Sequence, residues 1–441
     1  MDSTHQKNRI RITAFVGAFC IALLVFAFIV DTPQEIFSGE WIILTSPSIL
    51  ITDYIELAGL GATLFNTAVT VLMSLGLAWL IKARFNGYLV CAIFTVAGFA
   101  FFGKNPFNVV PVWIGVYVYD QVFAHKNMAD LIAPLLFGTT LGPVVSQTAF
   151  GFGTGVSWLL LGILLGFLAG MLLAALMGHI YKMHLGYNLY NTGTTGGFVG
   201  TVVYMAMRGF GLQVEPAFYW STEYTAILSW FFLAFLLITI LLGIIWGASA
   251  EQYKKIYKSW GRLTTDYVNI TDLGTTMVNM GLVGLIALGY IHLVDGDVNG
   301  ATLAGILTVF GFGALGKHPR NIIPIMVGVA IMTIPNVWSH NEPGPLLAAL
   351  FCTTLAPLAG RFGFLAGIAA GALHLPMVMH VGQLHGYMNL YNNGFAGGLA
   401  MLLIVGFING LRPHWLREPQ EGIMPEEEIN IKPGHLLVDG D

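Results

Sequence analysis

Two short polar motifs interrupt the apolar runs of this sequence, and each occurs twice. The first reads Gly103-Lys104-Asn105-Pro106-Phe107-Asn108-Val109-Val110-Pro111 and returns as Gly316-Lys317-His318-Pro319-Arg320-Asn321-Ile322-Ile323-Pro324. A lysine beside two prolines, between apolar runs, points to a broken helix whose free backbone amides and cation hold an anion or a polar solute. Lys104, Asn108, Lys317 and Asn321 are its candidate site residues. The second motif joins His184 to Asn188-Leu189-Tyr190-Asn191-Thr192-Gly193 and Gly196-Gly197. It recurs as His385 with Asn389-Leu390-Tyr391-Asn392-Asn393-Gly394 and Gly397-Gly398. Asparagines on both sides of a tyrosine supply amide donors, acceptors and a phenol, a neutral set suited to replacing a small solute's hydration. Polar groups at membrane depth mark pathways, so His184, Asn188, Tyr190, Asn191, His385, Asn389, Tyr391 and Asn392 join the candidates.

Each motif also has a plainer use. A lysine in a short loop snorkels to the headgroups, while Asn and Gly serve turns and close helix contacts. His179/His184 and His380/His385 are five residues apart, whereas metal ligands on one helical face sit three or four apart. The acidic residues fall almost entirely in loops and tails, so neither a metal nor a cofactor is expected, and a carboxylate proton relay is disfavoured. A histidine could still shuttle protons. Thr139-Thr140 and Thr353-Thr354 either line a pore or bond their own helix backbone, and Asp53 and Asp266 read as helix caps. The three cysteines have neither Cys-x-x-Cys spacing nor a nearby ligand set.

The elements that must position these residues are membrane helices. Of 441 residues, 56% are apolar and only 42 are charged, 19 basic and 23 acidic. A soluble chain of this length would carry roughly 110 charges. With a mean hydropathy of +0.74, a soluble enzyme, a disordered chain and a nucleic-acid reader with a basic surface are excluded.

Sliding the chain by 213 positions aligns Asp53-Tyr54 with Asp266-Tyr267, Asn66 with Asn279, Asn86-Gly87 with Asn299-Gly300, and the whole first motif with its echo. A shift of 214 aligns Thr139-Thr140-Leu141 with Thr353-Thr354-Leu355, and one of 201 aligns the second motif. Matches of Lys, Asn, His, Tyr and Pro in fixed order mean duplication rather than shared apolar composition. Each copy holds six apolar segments. One further segment precedes the first copy and another, about 225–246, joins the two.

The predicted fold is an all-α polytopic membrane protein of fourteen crossings, nearly all about the 20 residues a bilayer needs. Its parts are an N-terminal signal-anchor helix and outer loop (1–52), repeat 1 (53–210), a linking helix and basic loop (211–264), repeat 2 (265–411) and an acidic tail (412–441). Short or glycine-rich fourth and sixth segments also permit a ten-crossing version with those segments re-entrant. With a cytoplasmic N-terminus and fourteen crossings, 17 of the 19 basic residues face inside, leaving Lys104 and Arg208 outside. The copies then face opposite ways. Lys82 and Arg84 end the first helix of one copy where Asp295 and Asp297 end that of the other. In this topology Lys104 shares the outer side with Asn389–Asn392, and Lys317 shares the inner side with Asn188–Asn191.

At the Gly-Lys-x-Pro and Asn-Leu-Tyr-Asn-x-Gly motifs the sequence resembles an uncharacterised family of bacterial membrane proteins with a two-copy domain of unknown function. The resemblance covers about Asp53 to Leu411, and it implies the bacterial inner membrane but no activity. In architecture alone it is similar to urea-channel-type proteins, whose inverted halves surround a pore, although that family's pore motif is absent here. The functional expectation is a transporter or channel for a small polar or anionic solute, with its pathway between the copies. The expected partners are the bilayer and a solute or ion, without nucleic acid, and a homo-oligomer is compatible with such a chain. The alternatives are an intramembrane enzyme or sensor using His and Tyr as acid–base groups, or an assembly scaffold.

Overall fold

The computed structural model describes residues 3–125, 128–335 and 337–411. The acidic tail expected at 412–441 lies outside the described residues. Helix α1 (Ser3–Val30) leads to α2 (Pro33–Thr45). The first copy then follows as α3 (Tyr54–Ala58), α4 (Leu60–Leu80), α5 (Gly87–Ala100), α6 (Pro106–Tyr119), α7 (Ile132–Gly138), α8 (Gly142–Phe150), α9 (Val156–His184) and α10 (Asn191–Gly209). After α11 (Thr225–Ile245) and α12 (Ala250–Lys258) the second copy repeats the series. It comprises α13 (Tyr267–Ile270), α14 (Leu273–Leu293), α15 (Gly300–Phe312), α16 (Pro319–Thr333), α17 (Pro343–Phe351), α18 (Ala356–Phe362), α19 (Phe364–Val381) and α20 (Asn392–Leu411). The described residues form helices joined by turns and loops, with only isolated β-bridges such as Thr52 to Tyr219.

Seven helical stretches are long and apolar enough to cross a membrane: 5–30, 60–80, 156–184, 225–245, 273–293, 343–362 and 364–385. Large apolar side chains such as Ile29, Leu160 and Leu241 stay exposed on them, as lipid-facing surfaces require. The other segments correct the expectation that nearly all reach 20 residues. Helices α5, α6, α15 and α16 have 13 to 15 residues, about 20 Å at 1.5 Å per residue. That is short of a hydrocarbon core of roughly 30 Å. The fourth segment of each copy is broken, at a 3-10 turn over Thr139–Leu141 in one and Cys352–Leu355 in the other. The joints expected as loops before each copy instead form short helices, α2 and α12. Thr32 and Glu35 close a capping box on α2, and Ser249 caps α12.

The sequence dictates the short helices through their caps. Asn86 and Asn299 accept from Leu89 N and Thr302 N to start α5 and α15. Asn105 and Asn108 form a reciprocal box at the start of α6, with Pro106 in the first turn where no N–H is needed. Gly103 and Gly316 take φ of +97° and +84° between the paired half-helices, a region that an L side chain resists.

Hydrogen bonds at the ends of α5 and α15 fix the direction of the two copies. The Asp266 carboxylate accepts from Gly87 N at 3.1 Å, while Phe101 O, at the other end of α5, accepts from Tyr54 N. For α15 the ends are exchanged: Gly300 N donates to Asp53 at 3.3 Å, and Ala314 O accepts from Tyr267 N. Equivalent helices therefore run in opposite directions, as an inverted duplication requires. The axis relating them passes between Gly193 and Gly394. A Cβ on Gly193 would lie 3.0 Å from Gly394 Cα, and one on Gly394 would lie 2.9 Å from Gly193 Cα.

Candidate functional site

Each broken helix is clasped by the asparagine motif of the opposite copy. Thr140 Oγ1 donates to Asn389 Oδ1 at 2.7 Å and accepts from Tyr391 N at 2.9 Å. Thr354 Oγ1 donates to Asn188 Oδ1 and accepts from Tyr190 N at 2.9 Å. The amide groups of the same asparagines reach across the axis, Asn188 Nδ2 to Gly394 O at 2.9 Å and Asn389 Nδ2 to Gly193 O at 3.0 Å. Breaking a helix at membrane depth leaves backbone groups without water. These side chains satisfy part of that demand.

The clasps put the tyrosines against the lysines of the opposite copies. Lys104 Nζ donates to the Tyr391 hydroxyl at 2.6 Å, and Lys317 Nζ donates to the Tyr190 hydroxyl at 2.5 Å and to Thr353 Oγ1 at 2.7 Å. Both lysines are fully buried. Lys104 Nζ lies 5.4 Å from the Phe99 ring centre, and Lys317 Nζ lies 5.0 Å from that of Phe312, within cation–π range. Among the described residues no carboxylate pairs with either ammonium; the ion pair present joins Arg84 to Asp130 at 3.8 Å.

The remaining candidates do supporting work. Asn108 Nδ2 and Asn321 Nδ2 donate to Gly103 O and Gly316 O, at 2.9 and 2.8 Å, and so pin the Gly-Lys turns. Asn66 and Asn279 hold the same turns through Lys104 O and Lys317 O, at 2.9 and 2.8 Å. His184 and His385 each meet the second asparagine of the motif, Asn191 or Asn392, through Nε2 at 2.9 Å. Their Nδ1 atoms accept backbone N–H bonds from Gly186 and Asn389. That assigns the Nε2–H tautomer and commits both ring nitrogens. His179 and His380 are exposed.

A cavity of about 140 Å³ lies where the copies meet. Equivalent residues of both copies line it: Thr95 and Thr308, Phe99 and Phe312, Phe137 and Phe351, Tyr190 and Tyr391, and Thr192 with Asn393. Of the sequence candidates, Tyr190, Asn191 and Tyr391 reach its wall, while Lys104 and Lys317 stand directly behind the tyrosines. The phenylalanines and Thr95 and Thr308 escape motif reading, although they obey the same shifts of 213 and 214 residues. Away from the axis the cavity continues mainly through copy one, past Tyr119 and Met177 to Asp120 and Asp130, with Leu263 and Leu315 also in its wall. It is flanked there by a π-helical turn, Asp120–Ala124, that extends α6. This end holds Arg84 and lies on the Asp266 side of the bundle.

Asp53 and Asp266 cap more than their own helices. Besides Ile55 N and Asn269 N, they take Gly300 N and Gly87 N of the opposite copy, and Asp53 also accepts from Ser221 N at 3.1 Å. Thr139 and Thr353 do bond their own backbone, at Leu136 O and Leu350 O.

No curated protein and no solved structure matches this chain. One family model matches it twice in tandem, over residues 32–208 and 245–410, and the chain belongs to that family, described as protein of unknown function (DUF1576).

Proposed function

We propose that the protein is a carrier that moves a small polar or anionic solute across the membrane through the cavity between its inverted copies. One observation carries the reading: the cavity is built at the axis from equivalent residues of both copies, yet extends away from the axis mainly along copy one, towards Asp120 and Asp130, with no matching extension towards the Asp53 end among the described residues. Inverted copies around a central site are the common plan of secondary transporters, in which one copy opens while the other is closed. A channel needs a continuous route, whereas a carrier needs a site open to one end at a time. Exchanging the conformations of the two copies would open the same site towards the Asp53 end. The broken helices α7–α8 and α17–α18, clasped across the axis, are the elements that would move. Differences in lining accompany the closed side, since Ala174 and Gly178 of copy one correspond to Leu375 and Met379 of copy two.

The test is cysteine accessibility combined with flux. The native cysteines Cys20, Cys91 and Cys352 are buried, so T308C would supply the reactive thiol at the axis. In oriented vesicles an impermeant thiol reagent should modify it from the Arg84 end. Modification from the other end should appear only in protein that can cycle, and should fall when that cycling is arrested by cross-linking α10 to α20. Simultaneous, unimpeded labelling from both ends would identify a channel, and absence of labelling from either end would sink the pathway.

A further inference from the structure

We infer that the axis cavity is a binding site for a small organic anion, with its carboxylate held by the Tyr391 hydroxyl, which Lys104 polarises from behind, and its apolar body on the phenylalanine rings; this rests on the carrier reading of the same cavity. The Tyr391 hydroxyl accepts from Lys104 Nζ at 2.6 Å. Among the described residues it has no acceptor for its own proton. A phenol that accepts from an ammonium becomes a stronger donor through its remaining O–H, because hydrogen bonds in a chain polarise one another. Tyr391 lines the cavity, so that proton is available to a bound acceptor.

The second polar group is Thr308. Its side chain is 1% exposed, lines the cavity and has no hydrogen-bond partner. Its counterpart Thr95 instead donates to Cys91 O at 2.8 Å. A buried hydroxyl without a partner costs free energy, and a bound oxygen atom would remove that cost. Lys104 has one hydrogen bond where Lys317 has two, so the copy-one lysine is the less satisfied cation. A bound carboxylate would supply the negative charge that the described residues do not place beside it.

Size and wall chemistry restrict the rest of the ligand. The cavity of about 140 Å³ is close to the roughly 150 Å³ that accommodates benzene in an apolar protein core. Its rings, Phe99, Phe312, Phe137 and Phe351, offer apolar area rather than further donors.

The experiment is equilibrium binding to the purified full-length protein, with benzoate and isovalerate as anions, benzamide as the neutral isostere and benzylammonium as the cation. Benzoate should bind at least about tenfold more tightly than benzamide, the factor expected for one hydrogen bond to a charged group. Y391F and K104M should each abolish that preference, weakening benzoate binding at least about tenfold more than benzamide binding, because the neutral amide loses at most a neutral hydrogen bond. Thermal unfolding of both variants checks that they fold, and the retained benzamide site keeps the result interpretable. Equal or tighter binding of benzamide or benzylammonium, failure of both carboxylates to bind, or a preference that survives in Y391F and K104M would each overturn the assignment. Carboxylate binding without flux would refute the carrier reading and leave this site standing. Flux of a neutral or cationic solute that K104M does not alter would do the reverse.

Discussion

Substituting valine for the two clasp threonines separates the two copies energetically. T354V removes two hydrogen bonds, the donation to Asn188 Oδ1 and the acceptance from Tyr190 N. It keeps the volume and branching of the side chain. Tyr190 N retains a second acceptor, Asn188 Oδ1 at 3.2 Å, so no group is orphaned. Side-chain hydrogen bonds inside membrane proteins average about 0.6 kcal/mol and reach about 1.7, which puts T354V at about 1–3 kcal/mol. T140V loses the equivalent pair, but among the described residues Tyr391 N has no second acceptor. An unsatisfied buried N–H adds about 1–3 kcal/mol, so T140V should be the more damaging by at least about 1 kcal/mol. The assay is reversible unfolding in mixed micelles titrated with SDS and followed by circular dichroism. T140S, which keeps the hydroxyl, should recover most of the loss. Both valine variants within about 0.5 kcal/mol of wild type, or T354V costing more than T140V, would refute the clasp reasoning.

Three further outcomes follow from the same contacts. G193A should cost about 1–3 kcal/mol in the same titration, because the new methyl would meet Tyr391 Cβ and Tyr391 O at 2.8 Å where α10 crosses α20. D53A should destabilise more than D53N, since the carboxylate serves Ile55 N through Oδ1 and Gly300 N and Ser221 N through Oδ2, and the single amide oxygen of asparagine can still accept at one of these two positions; equal midpoints in thermal unfolding would contradict this. K317M should leave thermal stability near wild type, because replacing a buried cation by an apolar side chain is often neutral or stabilising, yet it should stop solute flux; unimpaired flux would remove Lys317 from the pathway.

Much was legible in the residues themselves. A chain with 42 charges in 441 residues belongs in a membrane, and polar residues repeated in fixed order disclose a duplication. The opposed loop charges then disclose the inversion, which the exchanged ends of α5 and α15 display directly. Motif reading also picked out Lys104, Lys317, Tyr190 and Tyr391. It gave Asn108, Asn321, His184 and His385 the same standing, whereas the structure uses them to hold turns and other asparagines. Residue type alone cannot separate these roles, because an amide that binds a solute and an amide that caps a helix carry the same atoms.

What the sequence by itself determined is therefore the solvent, the duplication and the short list of polar residues, since each of those depends on composition and order along the chain. The tertiary structure decided which of them meet. Lys104 and Tyr391 stand 287 residues apart and Lys317 and Tyr190 stand 127 apart, distances that only the packing of one copy against the other closes. It also decided which apolar residues wall the cavity. Phe99, Phe137, Phe312 and Phe351 suit lipid, core and binding site equally well until the helices around them are in place.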